Sequence, residues 1–188
     1  FLLDELRFSE MFNDWAGNRW AVQGGIQVAP RLAHLATDVT AEFNAVRPWT
    51  YTHRVPLFGT YSHTGRNIGF YAGPNSQLLS LENRWWLSRR QILTLAFQQI
   101  KRGVNPRDPS DPDYYPIGSN VNESYLNRNK AFDQQTDWLM GEIRTTQAYS
   151  VRWRYLLSNA LTANLEYRYE RGESSDDHYF FLQVKMDY

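Results

Sequence analysis

The sequence predicts an all-β chain, a transmembrane antiparallel β-barrel with about eight strands, and three observations predict it. Apolar and polar residues alternate with a period of two along most of the 188 residues, the period of a strand whose side chains point to opposite faces. The connections between these runs are short and long by turns, as in barrels with tight turns at one end and long loops at the other. The longest unbroken apolar run, Tyr179 to Leu182, falls far below the about 20 residues a spanning helix needs.

The opening stretch carries Leu2, Leu6, Phe8 and Phe12 with Asp4 and Glu10 in the same phase, and alternates least clearly. Trp20, Val22, Ile26 and Val28 then alternate with Arg19, Gln23 and Gln27. Leu35, Thr37, Val39, Ala41, Phe43 and Ala45 alternate with Asp38, Thr40, Glu42 and Asn44. Leu79, Leu81, Trp85 and Leu87 face away from Ser80, Glu82 and Arg84. Leu93, Leu95 and Phe97 form a weaker strand, with Ile92 and Ala96 opposite. From Leu139 to Leu157 one phase holds Ile143, Tyr149, Val151, Trp153 and Tyr155; the other holds Glu142, Arg144, Arg152 and Arg154. Leu161, Ala163, Leu165, Tyr167 and Tyr169 oppose Asn164, Glu166 and Arg168. The last strand sets His178, Phe180, Leu182, Val184, Met186 and Tyr188 against Tyr179, Phe181, Gln183, Lys185 and Asp187. Segments 35–54 and 137–157 exceed the about 9–11 residues of a spanning strand and are expected to project beyond the bilayer.

Residues 14–18, 30–34, 88–90 and 158–160 read as short turns, 171–177 as an intermediate one. Residues 55–76 and 103–136 read as long loops rich in Gly, Pro, Asn and Asp. A soluble sandwich or lipocalin-like barrel shows the same alternation with its apolar face inward, so alternation alone does not choose. Three features favour the membrane. The polar phase carries charges of both signs, which suits a lumen held by ion pairs. The apolar phase carries Trp20, Trp85, Trp153, Tyr149, Tyr155, Tyr167, Tyr169 and Tyr188, as interfacial girdles do. An alternating strand ends on an aromatic residue, which resembles the C-terminal signal of bacterial outer-membrane proteins. Two faces of opposite character also reconcile 7 Trp and 12 Tyr with a mean hydropathy of −0.61.

The balance of 20 basic and 20 acidic residues argues against nucleic acid as a partner. With 0 Cys, disulfides and thiolate metal sites are excluded. The start FLLDELRF has no Met, basic n-region or apolar h-region, so a mature chain or a fragment is expected.

Three segments carry more than pattern: EFNAVRPWTYTH (Glu42–His53), TYSHTGRNIGFYAGPNS (Thr60–Ser76) and LLSLENRWWLS (Leu78–Ser88). Together they resemble the capsule-assembly Wzi family, in which an Arg-Pro-aromatic-Thr-Tyr strand end leads to a Gly-rich loop with Gly-Pro-Asn and then a further strand. FLLDELRFSEMF is similar to a strand of that family. The chain departs from it at Ile68-Gly69, followed here by Phe70 where the family often has His. Family members are more than twice as long and form a larger barrel. The resemblance therefore implies a single domain, 1–188, that is an outer-membrane barrel or its C-terminal portion. It implies a lectin-like protein of the bacterial outer membrane that anchors exopolysaccharide, with membrane lipid as its other partner, no catalysis and no cofactor. Two other functions fit the same pattern: a porin or channel, and a structural barrel in a complex with other surface proteins.

Sugar binding needs aromatic faces and planar polar groups. Trp49 and Tyr51 on the rising strand, and Tyr61, His63, Arg66, Tyr71 and Asn75 in the loop, are the candidate glycan ligands. Phe58, Asn67 and Phe70 stand beside them. Gly65, Gly69, Gly73 and Pro74 equally suit a folded loop plug packed by these aromatics. Tyr114, Tyr115, Tyr125 and Arg128 are secondary candidates in a surface loop. Asp108, Asp111 and Asp113 offer oxygen ligands but lack EF-hand spacing. The 4 His include no His-x-Ser arrangement, and Ser62 and His63, adjacent on a strand, point apart. Glu42 and Glu82 are expected to be neutralised by Arg84 and Arg152 rather than to act as an acid/base pair.

Overall fold

A computed structural model describes residues 1–188 except 6, 11–12, 33–34, 56–60, 64–65, 109 and 187–188; the side chains of Glu5, Leu32, Ser62, Arg66 and Asn67 also fall outside the description. The readings of Leu6, Phe12, Phe58, Gly65, Asp187, Tyr188 and the Arg66 and Asn67 side chains thus lie outside the described residues.

The fold is all-β. Its strands are β1 (Leu2–Glu5), β2 (Arg19–Val28), β3 (Arg31–Leu32), β4 (Leu35–Val46), β5 (Ser62–His63), β6 (Arg66–Asn67), β7 (Ser76–Ser88), β8 (Gln91–Val104), β9 (Glu142–Ser158), β10 (Leu161–Arg171) and β11 (Asp176–Met186). Among the described residues helix is limited to 3-10 turns at Phe8–Glu10, Tyr125–Asn127 and Lys130–Phe132. One antiparallel sheet follows the order β1-β2-β4-β7-β8-β9-β10-β11, with β3 beside β4 and β5–β6 as a separate hairpin. Eight strands in chain order match the expected number. Among the described residues β1 and β11 do not pair, so the sheet is open.

Strand ends differ from expectation. The segment read as 35–54 stops at Val46, and the one read as 137–157 starts at Glu142. Pro48 has no N–H for a ladder, and Trp49 (φ 67°) and Tyr51 (φ 71°) turn into the left-handed region. The loop 55–76 contains the β5–β6 hairpin, and the turn at 30–34 contains β3.

The chain divides into two compact units. The first holds residues 1–23, 44–78 and 100–144; the second holds 24–43, 79–99 and 145–188.

In the second unit the ladders set like with like. Val151 faces Tyr167, which faces Phe180; Trp153 faces Leu165, which faces Leu182; Tyr155 faces Ala163, which faces Val184. On the opposite face Arg152 Nε pairs with Glu166 at 3.1 Å, Arg154 donates to Asn164 at 3.1 Å, and Asn164 donates to Gln183 at 3.3 Å. Arg84 pairs with Glu82 at 2.7 Å, and Arg168 with Glu170. The apolar face is not covered: Phe180, Leu182 and Val184 are 75%, 74% and 61% exposed. Among the described residues every buried hydrophobic side chain lies in the first unit, and the second buries only Thr37 and Thr94.

The first unit has a conventional core of Ala21, Val46, Tyr51 and Val121, with Leu2 and Phe70 packed on it. Asn75, fully buried, ties its strands and loops together. Its Nδ2 donates to Gly103 O (3.1 Å) and Met140 O (3.0 Å), and its Oδ1 accepts from Met140 N–H at 2.7 Å. Its own N–H donates to Arg47 O at 3.3 Å and its carbonyl accepts from Gly103 N–H at 2.9 Å. Gly103 must lack a side chain, because a Cβ there overlaps the Asn75 amide and the Met140 carbonyl.

Asn75 sits at φ 59°, which Gly adopts at no steric cost, so Asn75→Gly removes the side-chain bonds without adding strain. It is expected to lower unfolding stability by about 2–4 kcal/mol, the cost of leaving buried backbone groups unpaired. Denaturant unfolding measures this; an unchanged midpoint contradicts it.

Candidate functional site

The chain leaves β4 through a tight turn, with Thr50 N–H donating to Arg47 O (3.4 Å) and Thr52 N–H to Trp49 O (3.1 Å). Left-handed backbone costs a bulky residue about 1–2 kcal/mol, so Trp49 and Tyr51 need outside support. Trp49 N–H donates to Gly118 O at 3.0 Å, and Tyr51 N–H donates to Asp4 Oδ2 at 3.0 Å. Arg47 secures the base of the turn: its Nη2 donates to Thr136 O at 2.7 Å, and its guanidinium lies 5.7 Å from the Trp138 ring centre.

The turn aims Tyr51 into a cleft of about 310 Å³. Tyr61 stacks on Tyr51 with ring centres 5.6 Å apart and planes 23° apart, and its N–H donates to Tyr51 O at 3.1 Å. Phe70 N–H donates to the Tyr51 hydroxyl at 3.4 Å. Ala21, Val46 and Leu2 line the apolar side; Gln23 of β2 and Asn44 of β4 add amides; Phe1, Val22, Ile68, Gly69 and Phe70 complete the wall. Gly69 is required by contact: a Cβ there meets Tyr51 Cζ at 2.8 Å. Burial pushes the Tyr51 phenol up from its ordinary 10.0, with Tyr61 and Asp4 acting in the same direction. It stays an uncharged hydroxyl at neutral pH.

The sequence candidates separate into groups. Tyr51 and Tyr61 line the cleft. Tyr71 is exposed and its ring is 5.0 Å from that of Phe70. His63, exposed, stands opposite Arg66 in the hairpin that follows Tyr61. Trp49 is buried, and Asn75 spends its amide on Gly103 and Met140. Neither lines the cleft. Gln23 and Asn44, absent from the sequence candidates, lie in the polar phase of their strands, which is the signal that placed them on one face.

The secondary loop also serves itself. Tyr114 donates to Glu123 at 2.6 Å; burial and this contact push its phenol up to about 12. Tyr115 stacks on Phe132 at 5.5 Å. Arg19 lies 4.4 Å from the Tyr125 ring centre, and Arg128 pairs with Asp133 at 2.7 Å. Asp108 accepts from the Ser110 hydroxyl and N–H, which holds its carboxyl below the ordinary value. Arg107 meets Asp111 at 3.5 Å and Asp113 at 3.2 Å. Among the described residues no three His, Asp or Glu gather as a metal site.

No protein-family model, curated protein or solved structure matches the chain.

Gly69→Ala is expected to push the Tyr51 ring off its seat, costing about 1–3 kcal/mol as overpacking does. The near-ultraviolet signal of the Tyr51–Tyr61 stack is expected to change with it. An unchanged spectrum and unfolding midpoint contradict the contact.

Proposed function

We propose that the chain is an outer-membrane β-barrel, or part of one, whose second unit faces lipid and whose first unit binds exopolysaccharide at the bacterial surface. The observation that carries the membrane reading is the location of the buried hydrophobic side chains, all in the first unit among the described residues, while the second exposes its apolar phase. Soluble monomers rarely expose an apolar patch beyond about 300–600 Å², and lipid removes that patch from water without a second protein layer. At about 3.3 Å per residue, the stripe from His178 to Met186 runs about 26 Å along the strand. Tilted by about 40°, it covers about 20 Å of the about 25 Å apolar band of outer-membrane barrels. An aromatic row crosses one end of the stripe. Phe97 and Tyr149 lie 5.0 Å apart, Tyr149 and Tyr169 6.1 Å, and Tyr169 and His178 5.0 Å. Amphipathic rings of this kind settle at the headgroup level. The ion pairs of the opposite face suit a polar lumen.

The glycan reading rests on the resemblance of 42–53, 60–76 and 78–88 to the capsule-assembly Wzi family and on the cleft beside those residues. The Tyr51–Tyr61 pair offers ring faces, and the Gln23 and Asn44 amides offer donors and acceptors to hydroxyls. Binding without turnover is the proposed activity, with capsule anchoring as its outcome.

Val184→Lys or Leu165→Arg is expected to cost about 2–4 kcal/mol of folding into lipid vesicles, whereas Gln183→Lys on the other face changes little. Equal effects, or a stable fold in detergent-free buffer, contradict the membrane reading. Replacing Tyr61, Tyr71 and Arg66 together by Ala is expected to abolish polysaccharide retention by cells while strand content stays constant. Unchanged retention removes this loop from the proposal.

A further inference from the structure

We infer that a cavity at the turn end of the second unit binds a phosphate monoester, its phosphoryl group held by Arg31 and Arg89. The inference goes beyond the proposed function and rests on other residues. The cavity has a volume of about 460 Å³, within the ~300–1,000 Å³ range of small-ligand pockets. Two turns of the sheet meet on it. One hairpin supplies Pro30, Arg31 of β3 and Ala36 of β4; the other supplies Trp86 and Ser88 of β7 and Arg89 of the turn that follows. Both turns are anchored. Arg31 is in register with Ala36, Thr37 N–H donates to Pro30 O at 3.2 Å, and Leu156 N–H donates to Arg90 O at 2.8 Å.

Two guanidiniums on one cavity repel each other, and an anion between them removes that repulsion. The planar fork of each Arg matches phosphate oxygens in pairs. A phosphate monoester carries a charge of about −1.5 to −2 near neutral pH, so it balances both cations, whereas a carboxylate balances one. Ser88 Oγ accepts from Arg90 N–H at 3.2 Å, which leaves the hydroxyl proton for an acceptor such as a phosphate oxygen. Trp86, Pro30 and Ala36 give the cavity an apolar wall for the organic body of the ester. Other arginines in the polar phase of this sheet are spent on carboxylates: Arg84 on Glu82 at 2.7 Å, Arg152 on Glu166 at 3.1 Å, and Arg168 on Glu170. Among the described residues no carboxylate pairs with Arg31 or Arg89, both of which are exposed. A soluble phosphate ester and the headgroup of a phosphatidic acid present the same chemistry.

The test is calorimetric titration of the full chain, in an uncharged and phosphate-free detergent, with inorganic phosphate, phenyl phosphate, short-chain phosphatidic acid and short-chain phosphatidylcholine. The expected result is binding of phenyl phosphate more tightly than of inorganic phosphate. Arg31→Gln with Arg89→Gln is expected to weaken it roughly tenfold or more, and Lys101→Gln, at an exposed cation elsewhere, to leave it unchanged. Trp86→Leu is expected to bring phenyl phosphate to the affinity of inorganic phosphate. Arg89→Gln alone takes the place of the double variant should that variant lose strand content, with a smaller loss expected. Phosphatidic acid bound more tightly than phenyl phosphate, and lost in the double variant, assigns the site to a lipid headgroup; the reverse order assigns it to a soluble ester. Binding of neither, or binding that Lys101→Gln weakens as much as the arginine variants do, overturns the inference and leaves the membrane and glycan readings standing.

Discussion

Among the described residues the second unit fully buries none of its hydrophobic side chains. The pleat sends alternate residues to opposite faces, and the ladders of β9, β10 and β11 keep the phases aligned without a slip from Thr162 to Arg171. A one-residue slip would mix the faces. Held in register, they form one surface of Tyr149, Val151, Trp153, Leu165, Leu182 and Val184 and another of ion pairs. Burying a side chain such as Leu or Val is worth about 1.5–3 kcal/mol, so whatever covers this surface dominates the energetics of the unit. The charged face gains little from its pairs in water and supplies specificity of register instead.

The first unit solves a different problem. Its connections carry many backbone polar groups with no ladder partners, and such groups must be paired when buried. Asn75 answers for three segments at once, joining the approach to β7, the end of β8 and the approach to β9. Trp49 and Tyr51 in left-handed backbone are strained, and strain of this kind persists only where the surroundings over-determine it. Here the Gly118 carbonyl and the Asp4 carboxylate hold the turn. The turn directs Tyr51 at Gly69 and Tyr61, so the cleft is a consequence of how β4 is stopped.

Much of this was legible in the sequence, for a local reason. Alternation is a property of neighbouring residues, so β2, β4, β7, β10 and β11 could be read from phase alone. Strand ends were not legible where the backbone breaks its own rules. The aromatic spacing continues through Trp49 and Tyr51, and left-handed non-glycine backbone leaves no mark on composition. Tyr51 and Tyr61 stood out as aromatics beside a Gly-rich loop. Gln23 and Asn44 did not, because their convergence on that loop depends on long-range pairing. Asn75 was conspicuous in Gly-Pro-Asn, yet its three side-chain bonds reach two residues, 28 and 65 positions away, beyond any local pattern.

The most direct test of the account uses the absence of cysteine, 0 in the chain, which makes single-Cys spin labels unambiguous. Labels are placed in turn at Leu182, Gln183, Val184 and Lys185 of the protein in lipid vesicles. Their collision rates with oxygen and with a water-soluble nickel complex are then measured. The account predicts a period of two, with Leu182 and Val184 open to oxygen and shielded from nickel, and Gln183 and Lys185 the reverse. Nickel access at Leu182 and Val184 equal to that at Gln183 and Lys185 would contradict it.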